Sequence, residues 1–375
     1  MLLGDMGADV VKIEPPGKGD QVRQSMGIPM KGPDSPGFLA LNRNKRSLEL
    51  NLKTAAGLEV FKQLVKTADI FVENSRPGVT ARLGIDYPAL SAINPKLVYA
   101  SISGYGQTGP WALRPGFDLI AQAVSGAMSA MGRPDEPPVK SSIPFADLGA
   151  GLLAVYGILS AYIGAQHTGV GQHVDTSLFE AAIGLSVWES AEYWGTGQPP
   201  RKIGTANRMS APYQAVQAAD GWFVLGAANQ RLWQRLCTVI GRPDLADDPR
   251  FRTNGERMRN LALLMPILEA FFVERRRDDC VSLLSEAGIP AAPVLDYRES
   301  LASEQAVARQ MVMQLEHPVE GTINNLGFAV KMSITPQQVR RAPPLLGQHT
   351  EELLAELGLD PEAIAELRAA GALSP

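Results

Sequence analysis

Hydrophobic and polar positions in the first half of the chain switch repeatedly between the two-residue period of strands and the helical period. Positions 10–14, 69–73 and 97–103 predict strands, and the last of these is the most apolar. Thr54 predicts a helix N-cap, and the apolar positions after it share one helical face: Leu58, Phe61, Leu64, Val65 and Ala68. A short helix is predicted at 87–93. Strands that alternate with helices at such short spacing are typical of βαβ units around a mostly parallel sheet.

The pattern changes after a glycine- and proline-rich segment at 195–200, which is typical of a linker. Before it, the periodicity predicts three helices and one polar strand: helices at 117–131, 148–166 and 177–195, and the strand at 172–175. After it, we predict two hairpins and three helices: hairpins at 211–225 and 312–332, and helices at 229–240, 258–275 and 278–287. Thr350 predicts the N-cap of a helix near the C-terminus. The sequence therefore predicts a larger α/β domain over 1–199 and a smaller α+β domain over 200–330.

The chain begins inside an apparent helix, formed by Leu2, Leu3 and Met6, that leads into the strand at 10–14. A doubly wound domain ordinarily has a strand before such a helix. We therefore expect either a truncated start or a fold that lacks this first strand.

Positions 148–165 carry no charge over 18 residues, which is close to the shortest membrane-spanning length. The stretch contains four glycines, two tyrosines and a serine, and the rest of the chain is polar enough for a soluble protein. We predict a buried core helix here and no membrane partner.

Composition excludes several classes of protein. The 375 residues are 45% hydrophobic and 20% charged, which argues against intrinsic disorder. The formal net charge of −4 gives no basic face for nucleic acid. Two cysteines, Cys237 and Cys280, cannot build a disulfide scaffold, which indicates a reducing compartment and favours the cytoplasm. The first residues show no secretory signal.

Several common catalytic motifs are missing. The four histidines are scattered without metal-ligand spacing, so a zinc or di-iron centre is not expected. The chain also has no G-x-S-x-G elbow, no Walker A sequence and no G-x-G-x-x-G between a strand and a helix. These absences argue against a serine hydrolase, a P-loop enzyme and a nicotinamide enzyme.

Asp147 is the most interesting residue chemically, because it precedes the long apolar helix among glycines and apolar neighbours. One interpretation is an N-cap, since aspartate is a preferred capping residue. The other is a nucleophile, since a carboxylate can attack an activated acyl carbon and form a covalent intermediate. The residues alone leave both interpretations open.

Three further segments are candidate ligand contacts. The basic stretch 42–47 is either a solvated loop or a phosphate contact. Segments 73–78 and 103–110 each follow a predicted strand, where ligands bind in open α/β sheets. The second is glycine-rich, which is typical of a close backbone approach or of a tight turn.

Taken together, these segments resemble the class III CoA-transferases, a family that includes formyl-CoA transferase, carnitine CoA-transferase and α-methylacyl-CoA racemase. The resemblance runs in order along nearly the whole chain through six motifs: Gly7-Ala-Asp-Val-Val-Lys-Ile-Glu14, Asn42-Arg-Asn-Lys-Arg-Ser47, Val72-Glu-Asn-Ser-Arg-Pro-Gly78, Ser103-Gly-Tyr-Gly-Gln-Thr-Gly-Pro110, Asp147-Leu-Gly149 and Leu346-Gly-Gln-His-Thr350.

The resemblance implies a fold and a partner. Each chain would form a ring threaded by a second copy, in an intertwined homodimer. A large Rossmann-like CoA-binding domain would comprise 1–199, completed by 331–375, and the small domain would comprise 200–330. In the family, a first strand and a turn that touches CoA precede the point where this chain starts.

The resemblance also implies a reaction. The carboxylate of Asp147 would attack an acyl-CoA thioester, giving a mixed anhydride and then an aspartyl-CoA thioester. A small carboxylic acid would accept the CoA. Coenzyme A and acyl-CoA would be substrates, and no permanently bound cofactor or metal is implied.

The family's CoA contacts fall on seven positions of this chain: Leu50 and Lys53 at the adenine and phosphates, Asn74 and Ser75 at the nucleotide, Arg82 at the phosphates, and Phe117 and Asp118 beside the thioester. Ser75 departs from the family's common aromatic residue. The family's mobile glycine loop would lie near Gly204, where this sequence has no run of glycines.

Two other functions remain as alternatives. The racemase of the family needs a histidine where this chain has Phe117 and a glutamate near Asn229, and neither side chain present can shuttle a proton. The other alternative is a catalytically silent homologue that binds CoA. The sequence does not identify the acyl donor or the acceptor acid.

Overall fold

The computed structural model describes residues 1–25, 28 and 30–374 as two compact units. The first unit comprises Met1–Ser125, Pro144–Leu185 and the chain from Leu301 onward, and the second comprises Gly126–Ile143 and Ser186–Ser300. These boundaries differ from the predicted division in three segments. Segments 126–143 and 186–199 belong to the second unit, and 301–330 belongs to the first.

Hydrogen bonds explain two of the differences, those at 301–330 and 126–143. In the first unit, Arg43 donates to the side chain of Asn325 (2.9 Å), and Asn325 donates to the carbonyl of Leu39 (3.0 Å). These bonds attach the hairpin within 301–330 to the start of the chain. In the second unit, the N–H of Gly204 donates to the carbonyl of Gly132 (2.9 Å), which ties 126–143 to the segment after the linker.

Ten strands form four sheets within the described residues. They are β1 (Val10–Glu14), β2 (Lys45–Glu49), β3 (Ile70–Glu73), β4 (Val98–Ser103), β5 (His173–Ser177), β6 (Tyr213–Ala218), β7 (Gly221–Gly226), β8 (Ala291–Pro293), β9 (Val312–His317) and β10 (Gly321–Leu326). Strands β1 and β2 pair in parallel, and so do β3, β4 and β5, with β4 in the middle. Strands β6, β7 and β8 form an antiparallel sheet in the second unit, and β9 pairs with β10 as a hairpin. The mixed α/β class with parallel sheets is confirmed.

The α-helices, in chain order, are α1 (Leu2–Asp5), α2 (Pro36–Leu41), α3 (Ala55–Val65), α4 (Val79–Leu83), α5 (Tyr87–Ile93), α6 (Asp118–Val124), α7 (Ala127–Ala130), α8 (Phe145–Thr168), α9 (Leu178–Leu185), α10 (Val187–Thr196), α11 (Gln230–Val239), α12 (Asn254–Arg259), α13 (Leu261–Phe272), α14 (Arg277–Glu286), α15 (Tyr297–Ala302), α16 (Glu304–Ala308), α17 (Thr350–Glu356) and α18 (Pro361–Ala369). Short 3-10 helices occur at Gln21–Gln24 and Pro243–Ala246.

Several predicted helices are broken or begin elsewhere. The predicted helix at 117–131 is divided into α6 and α7 at Gly126, whose φ of 91° ends the right-handed helix. The predicted helix at 177–195 is divided into α9 and α10 at Ser186. Thr54 caps α3 as predicted, accepting the N–H of Gly57 (3.1 Å). The N-cap of α17 is His349 rather than Thr350, because the Thr350 hydroxyl accepts an N–H from β2 instead.

Helix α8 crosses the parallel sheet in the direction opposite to the strands. Its C-terminal part, Ala161 and Ala165, packs against Val98 at the start of β4. Its middle packs against Ala100, and its first turn packs beside Ile102 near the end of β4. The N-terminus of α8 therefore lies at the carboxyl edge of the sheet.

Small residues allow this close helix–sheet contact. A Cβ added at Gly157 would lie only 2.8 Å from a methyl group of Val174 on β5. Helix α8 is long and apolar enough to span a membrane by length and composition alone, but only a third of its apolar stretch is buried. The prediction of a buried core helix therefore holds for one face of α8 and is wrong for the other.

The second unit has its own core. The antiparallel sheet is covered by α11, α13 and α14, and the apolar side chains between them include Phe223, Trp233, Leu268 and Leu284. Both cysteines are buried in this core, and burial raises the pKa of the Cys237 thiol to about 12. They are therefore packing residues and unreactive thiols.

Candidate active site

Asn74 lies at the carboxyl edge of the β3–β4–β5 sheet, directly after β3. Its side-chain amide donates a hydrogen bond to the carbonyl of Ile102, near the end of β4 (2.6 Å). This bond fixes the turn after β3 against the neighbouring strand. In open α/β sheets, this edge is where ligands bind.

The glycine-rich segment 103–110 follows β4 at the same edge. The N–H of Gly106 donates to the hydroxyl of Ser103 (2.9 Å), and the N–H of Gln107 donates to the Asp175 carboxylate (3.0 Å). Gly104 and Gly116 touch backbone to backbone: a Cβ added to Gly104 would lie 3.0 Å from the Gly116 Cα. This contact holds the segment that leads into α6 against the end of β4.

Asp147 lies in the first turn of α8, whose N-terminus is at this edge. The N-cap position of α8 is Pro144, which provides no side-chain cap. Asp118 supplies the cap instead, because its Oδ1 accepts the N–H groups of Ala146 (3.0 Å) and Asp147 (3.3 Å). The interpretation of Asp147 as a helix cap is therefore wrong.

The carboxylate of Asp147 is exposed and, within the described residues, accepts no hydrogen bond. Desolvation by the surrounding protein raises its pKa, and the charge of nearby Asp118 raises it further. Solvent can therefore reach an anion that its surroundings stabilise poorly. Such a carboxylate can act as a base or as a nucleophile.

The two arginines of the basic stretch 42–47 are not free cations. Arg43 is paired with Asp5 (2.7 Å), and Arg46 is paired with Asp9, Glu352 and Glu356. Residues 45–47 form the start of β2, and 42–44 form a buried turn after α2 rather than a solvated loop. Because their guanidinium groups are already neutralised, these arginines serve the fold rather than a phosphate.

The second unit contains a cavity with a volume of about 530 Å³, lined by residues of that unit. Apolar side chains line much of it, including those of Ile203, Met258 and Met265. Two of its three charged lining residues, Arg208 and Glu192, pair with each other (2.8 Å), and the third is Arg259. This cavity is an apolar recess rather than a reactive site.

The chain matches a known protein family over most of its length. The family described as CoA-transferase family III matches residues 1–350. The chain belongs to this family.

Known members of family III and their structures are similar along the whole chain. Human succinyl-CoA:glutarate CoA-transferase is 37% identical over 99% of this chain and 85% of its own length. Acetyl-CoA:oxalate CoA-transferase of Acetobacter aceti is 41% identical over 88% of this chain and 84% of its own length. The crystal structure of a CAIB/BAIF family protein from Brucella suis is 35% identical, with a TM-score of 0.84, and covers 95% of this chain and 93% of that one. The family expected from the six motifs is confirmed.

Within this family III fold, four of the predicted CoA residues lie at the edge described above. Asn74 and Ser75 follow β3, and the N–H of Ser75 donates to Glu73 (2.7 Å). Phe117 and Asp118 begin α6, and the Phe117 ring is 68% exposed. These residues share the carboxyl edge with Asp147.

The other three predicted CoA residues are placed by different elements. Leu50 and Lys53 follow β2, a strand of the other parallel pair, and Arg82 is on α4. The Leu50 side chain is buried in the core, so only its backbone can meet a ligand. Lys53 and Arg82 are exposed, and no carboxylate in the described chain forms an ion pair with either.

The capping role of Asp118 and its partner Gln122 was not predicted from the sequence. The Asp118 Oδ2 accepts the side-chain amide of Gln122 (2.6 Å), which is fully buried. Two signals were available: a proline where α8 needs a cap, and the four-residue spacing of Asp118 and Gln122. Among the described residues, no group of three or more His, Cys, Asp or Glu side chains could hold a metal ion.

Proposed function

We propose that this family III member is a CoA-transferase that moves CoA from an acyl-CoA donor to a small carboxylic acid, with Asp147 as the nucleophile. The observation that carries the proposal is the free carboxylate in the first turn of α8, at the carboxyl edge of the parallel sheet. Asp118 accepts two of the backbone N–H groups there, so the Asp147 side chain is not needed as the cap and is available for chemistry.

The proposed reaction has four steps. The Asp147 carboxylate attacks the thioester carbon, which forms a mixed anhydride and releases CoA thiolate. The thiolate attacks the aspartyl carbonyl, which forms an aspartyl-CoA thioester and releases the donor acid. The acceptor carboxylate attacks this thioester, which forms a second anhydride and releases the thiolate again. The thiolate then attacks the acceptor's acyl carbon, which yields the new acyl-CoA and restores Asp147.

Coenzyme A would be held by the predicted contacts. Among the described residues, Lys53 and Arg82 are exposed cations without carboxylate partners, which suits the CoA phosphates. Asn74 and Ser75 would meet the nucleotide, and the exposed ring of Phe117 would flank the acyl thioester. Leu50 would contribute its backbone. The Asp118 carboxylate is committed to the start of α8, so its part at the thioester is indirect.

The acceptor is a small carboxylic acid. The names of two relatives pair an acyl-CoA with a dicarboxylate, glutarate in the human protein and oxalate in the Acetobacter aceti protein. Glutarate, oxalate and succinate are therefore the acids to test first.

Hydroxylamine trapping tests this proposal directly. After incubation with acetyl-CoA or succinyl-CoA, hydroxylamine should convert the activated carboxyl of Asp147 to a hydroxamate, which peptide mass spectrometry locates. Asp147→Asn should give no such product. Asp69→Asn is the matched control, because Asp69 lies just before β3, at the end away from the carboxyl edge. In this variant Asp147 should be trapped as in the wild type.

Two outcomes would contradict the proposal. CoA binding without a trapped residue, for several donors, would indicate a silent homologue. Exchange of the α-proton of a 2-methylacyl-CoA without a trapped Asp147 would indicate a racemase.

We further propose that a second copy of the chain covers the outer face of α8. Five apolar side chains form a stripe there, each at least two-fifths exposed: Leu148, Leu152, Tyr156, Leu159 and Ile163. A continuous apolar stripe of this kind marks an interface. A homodimer would also help to exclude water from the acyl intermediates, which water would otherwise hydrolyse.

The mass in solution tests the dimer. Light scattering should give twice the 40.2 kDa chain mass for the wild type. Two glutamates on the stripe, Leu152→Glu with Tyr156→Glu, should produce monomer or aggregate because they bury charge in the interface. Val307→Glu on α16, an equally exposed apolar site, is the control and should remain a dimer. A wild-type mass of one chain at micromolar concentration contradicts this proposal.

A further inference from the structure

One carboxylate oxygen of Asp118 caps the start of α8, and the other accepts a hydrogen bond within α6. Its Oδ1 accepts the N–H groups of Ala146 and Asp147, at 3.0 and 3.3 Å. Its Oδ2 accepts the amide of buried Gln122, at 2.6 Å, within α6. The carboxylate is thus held on both sides and is half-buried.

This arrangement removes most of the backbone donors that the Asp147 carboxylate could reach at the start of α8. An acidic residue at the third helical position ordinarily reaches back to the N–H of the N-cap residue. Here the N-cap residue is Pro144, which has no N–H. The N–H groups of Ala146 and Asp147 are occupied by Asp118. The remaining N–H of this turn is on Phe145, and within the described residues it donates no hydrogen bond to Asp147.

We propose that Asp118 is a positioning residue that, together with Pro144, keeps the Asp147 carboxylate free of hydrogen bonds and therefore reactive. This inference rests on the proposed function, because it concerns the nucleophile named there. A carboxylate that accepts several hydrogen bonds is stabilised as an anion and is a poorer nucleophile. Withholding those bonds maintains the basicity that attack on a thioester requires.

Asp118 is also the charge that acts on Asp147. Local desolvation raises the pKa of Asp147, and the negative charge of Asp118 raises it further. The charged groups on other elements packed against α8 are engaged elsewhere. Glu180 on α9 accepts from Ser177, His173 on β5 bonds Ser101, and Asp175 on β5 accepts from Gln107.

The raised pKa of Asp147 sets the direction in which CoA transfer depends on pH. Asp147 must be ionised to attack, so transfer is lost as the pH falls through its pKa. Because that pKa is raised, the loss begins at a higher pH than for an ordinary aspartate. Removing the Asp118 charge lowers the pKa of Asp147 and should move the acid limb of kcat/KM to lower pH.

Three variants test the proposal. Asp118→Asn keeps an oxygen for the two N–H groups but removes the charge. It should shift the acid limb to lower pH and reduce kcat at neutral pH by about threefold, through reduced basicity. Asp118→Ala also frees both N–H groups, and the Asp147 carboxylate can then accept hydrogen bonds from them. Its kcat should fall by about tenfold or more, and the asparagine variant should therefore be the more active of the two.

Pro144→Ala tests the same idea without touching Asp118. It restores an N–H at the N-cap position, which the Asp147 carboxylate can accept. We expect a lower kcat and an acid limb displaced to lower pH, while the thermal midpoint stays near that of the wild type. Since Pro144 is exposed, this variant should fold normally.

The outcomes separate this inference from the proposed function. Unchanged acid limbs in all three variants would overturn the role of Asp118 and Pro144, even if Asp147→Asn is inactive and Asp147 is trapped. A fully active Asp147→Asn would overturn both. Shifts in the expected direction, with trapping at Asp147 retained but slower, support the proposal.

Discussion

Replacing Asp147 with asparagine is expected to reduce CoA transfer by at least about 10³-fold, because the attacking carboxylate is lost. Asparagine has the same shape, and the first turn of α8 is held through backbone N–H groups by Asp118. The fold and the affinity for free CoA should therefore remain. The defect should appear in kcat, since a nucleophile acts in the chemical steps rather than in binding.

The measurement is the steady-state transfer from succinyl-CoA or acetyl-CoA to glutarate or oxalate, together with calorimetric binding of free CoA. Asp147→Ala should match the asparagine variant and excludes slow deamidation back to aspartate as a source of residual activity. Asp69→Asn controls for the loss of an exposed carboxylate. Transfer by Asp147→Ala within tenfold of the wild type would show that another group forms the covalent intermediate.

Replacing Arg23 with methionine is expected to destabilise the first unit by about 3 to 5 kcal/mol, because it leaves buried carboxylates without their cation. Arg23 is 3% exposed and donates to Glu14 (2.7 Å) and to Asp34 (2.8 Å). It also donates to the carbonyl of Pro344 (3.2 Å), which joins the first strand to the C-terminal segment. Glu14 is almost completely buried.

The destabilisation should depend on pH. Burial alone would raise the pKa of Glu14, but the hydrogen bonds from Arg23 and from the Asp20 N–H, with the Arg23 charge, lower it below its ordinary value. A lowered pKa in the folded state contributes stability that is present above the unfolded value and is lost as the pH falls through the folded value. In Arg23→Met the unpaired carboxylate should protonate more easily. The difference from the wild type is therefore largest at neutral pH and smaller in acid.

Urea unfolding at several pH values checks this expectation. Arg242→Met is the matched control, since Arg242 pairs with Asp244 in an exposed ion pair (2.7 Å) that solvent screens. Its unfolding midpoint should not change. An Arg23→Met midpoint equal to that of the wild type at neutral pH would show that the buried ion pairs do not stabilise the fold.

Local patterns predicted the elements that depend on neighbouring residues. The strand at Val10–Glu14 and the helix at Tyr87–Ile93 have the predicted bounds, because alternation and helical spacing are local properties. Helices were divided wrongly where a single backbone angle decides the matter, as at Gly126. Segment 301–330 was predicted in the small domain but belongs to the first unit, because Arg43 and Asn325, which are far apart in sequence, bond to each other.

For the candidate site, the sequence by itself determined the family and singled out Asp147, because six ordered motifs and a carboxylate before an apolar helix are written in the residues. Only the tertiary structure decided that Asp147 is not the helix cap. A cap is defined by which oxygen accepts the first N–H groups, and that oxygen comes from Asp118, 28 residues before Ala146. Long-range packing of α6 and α8 on the carboxyl edge of the sheet brings the two carboxylates together. Spacing along the chain carries no information about such a contact.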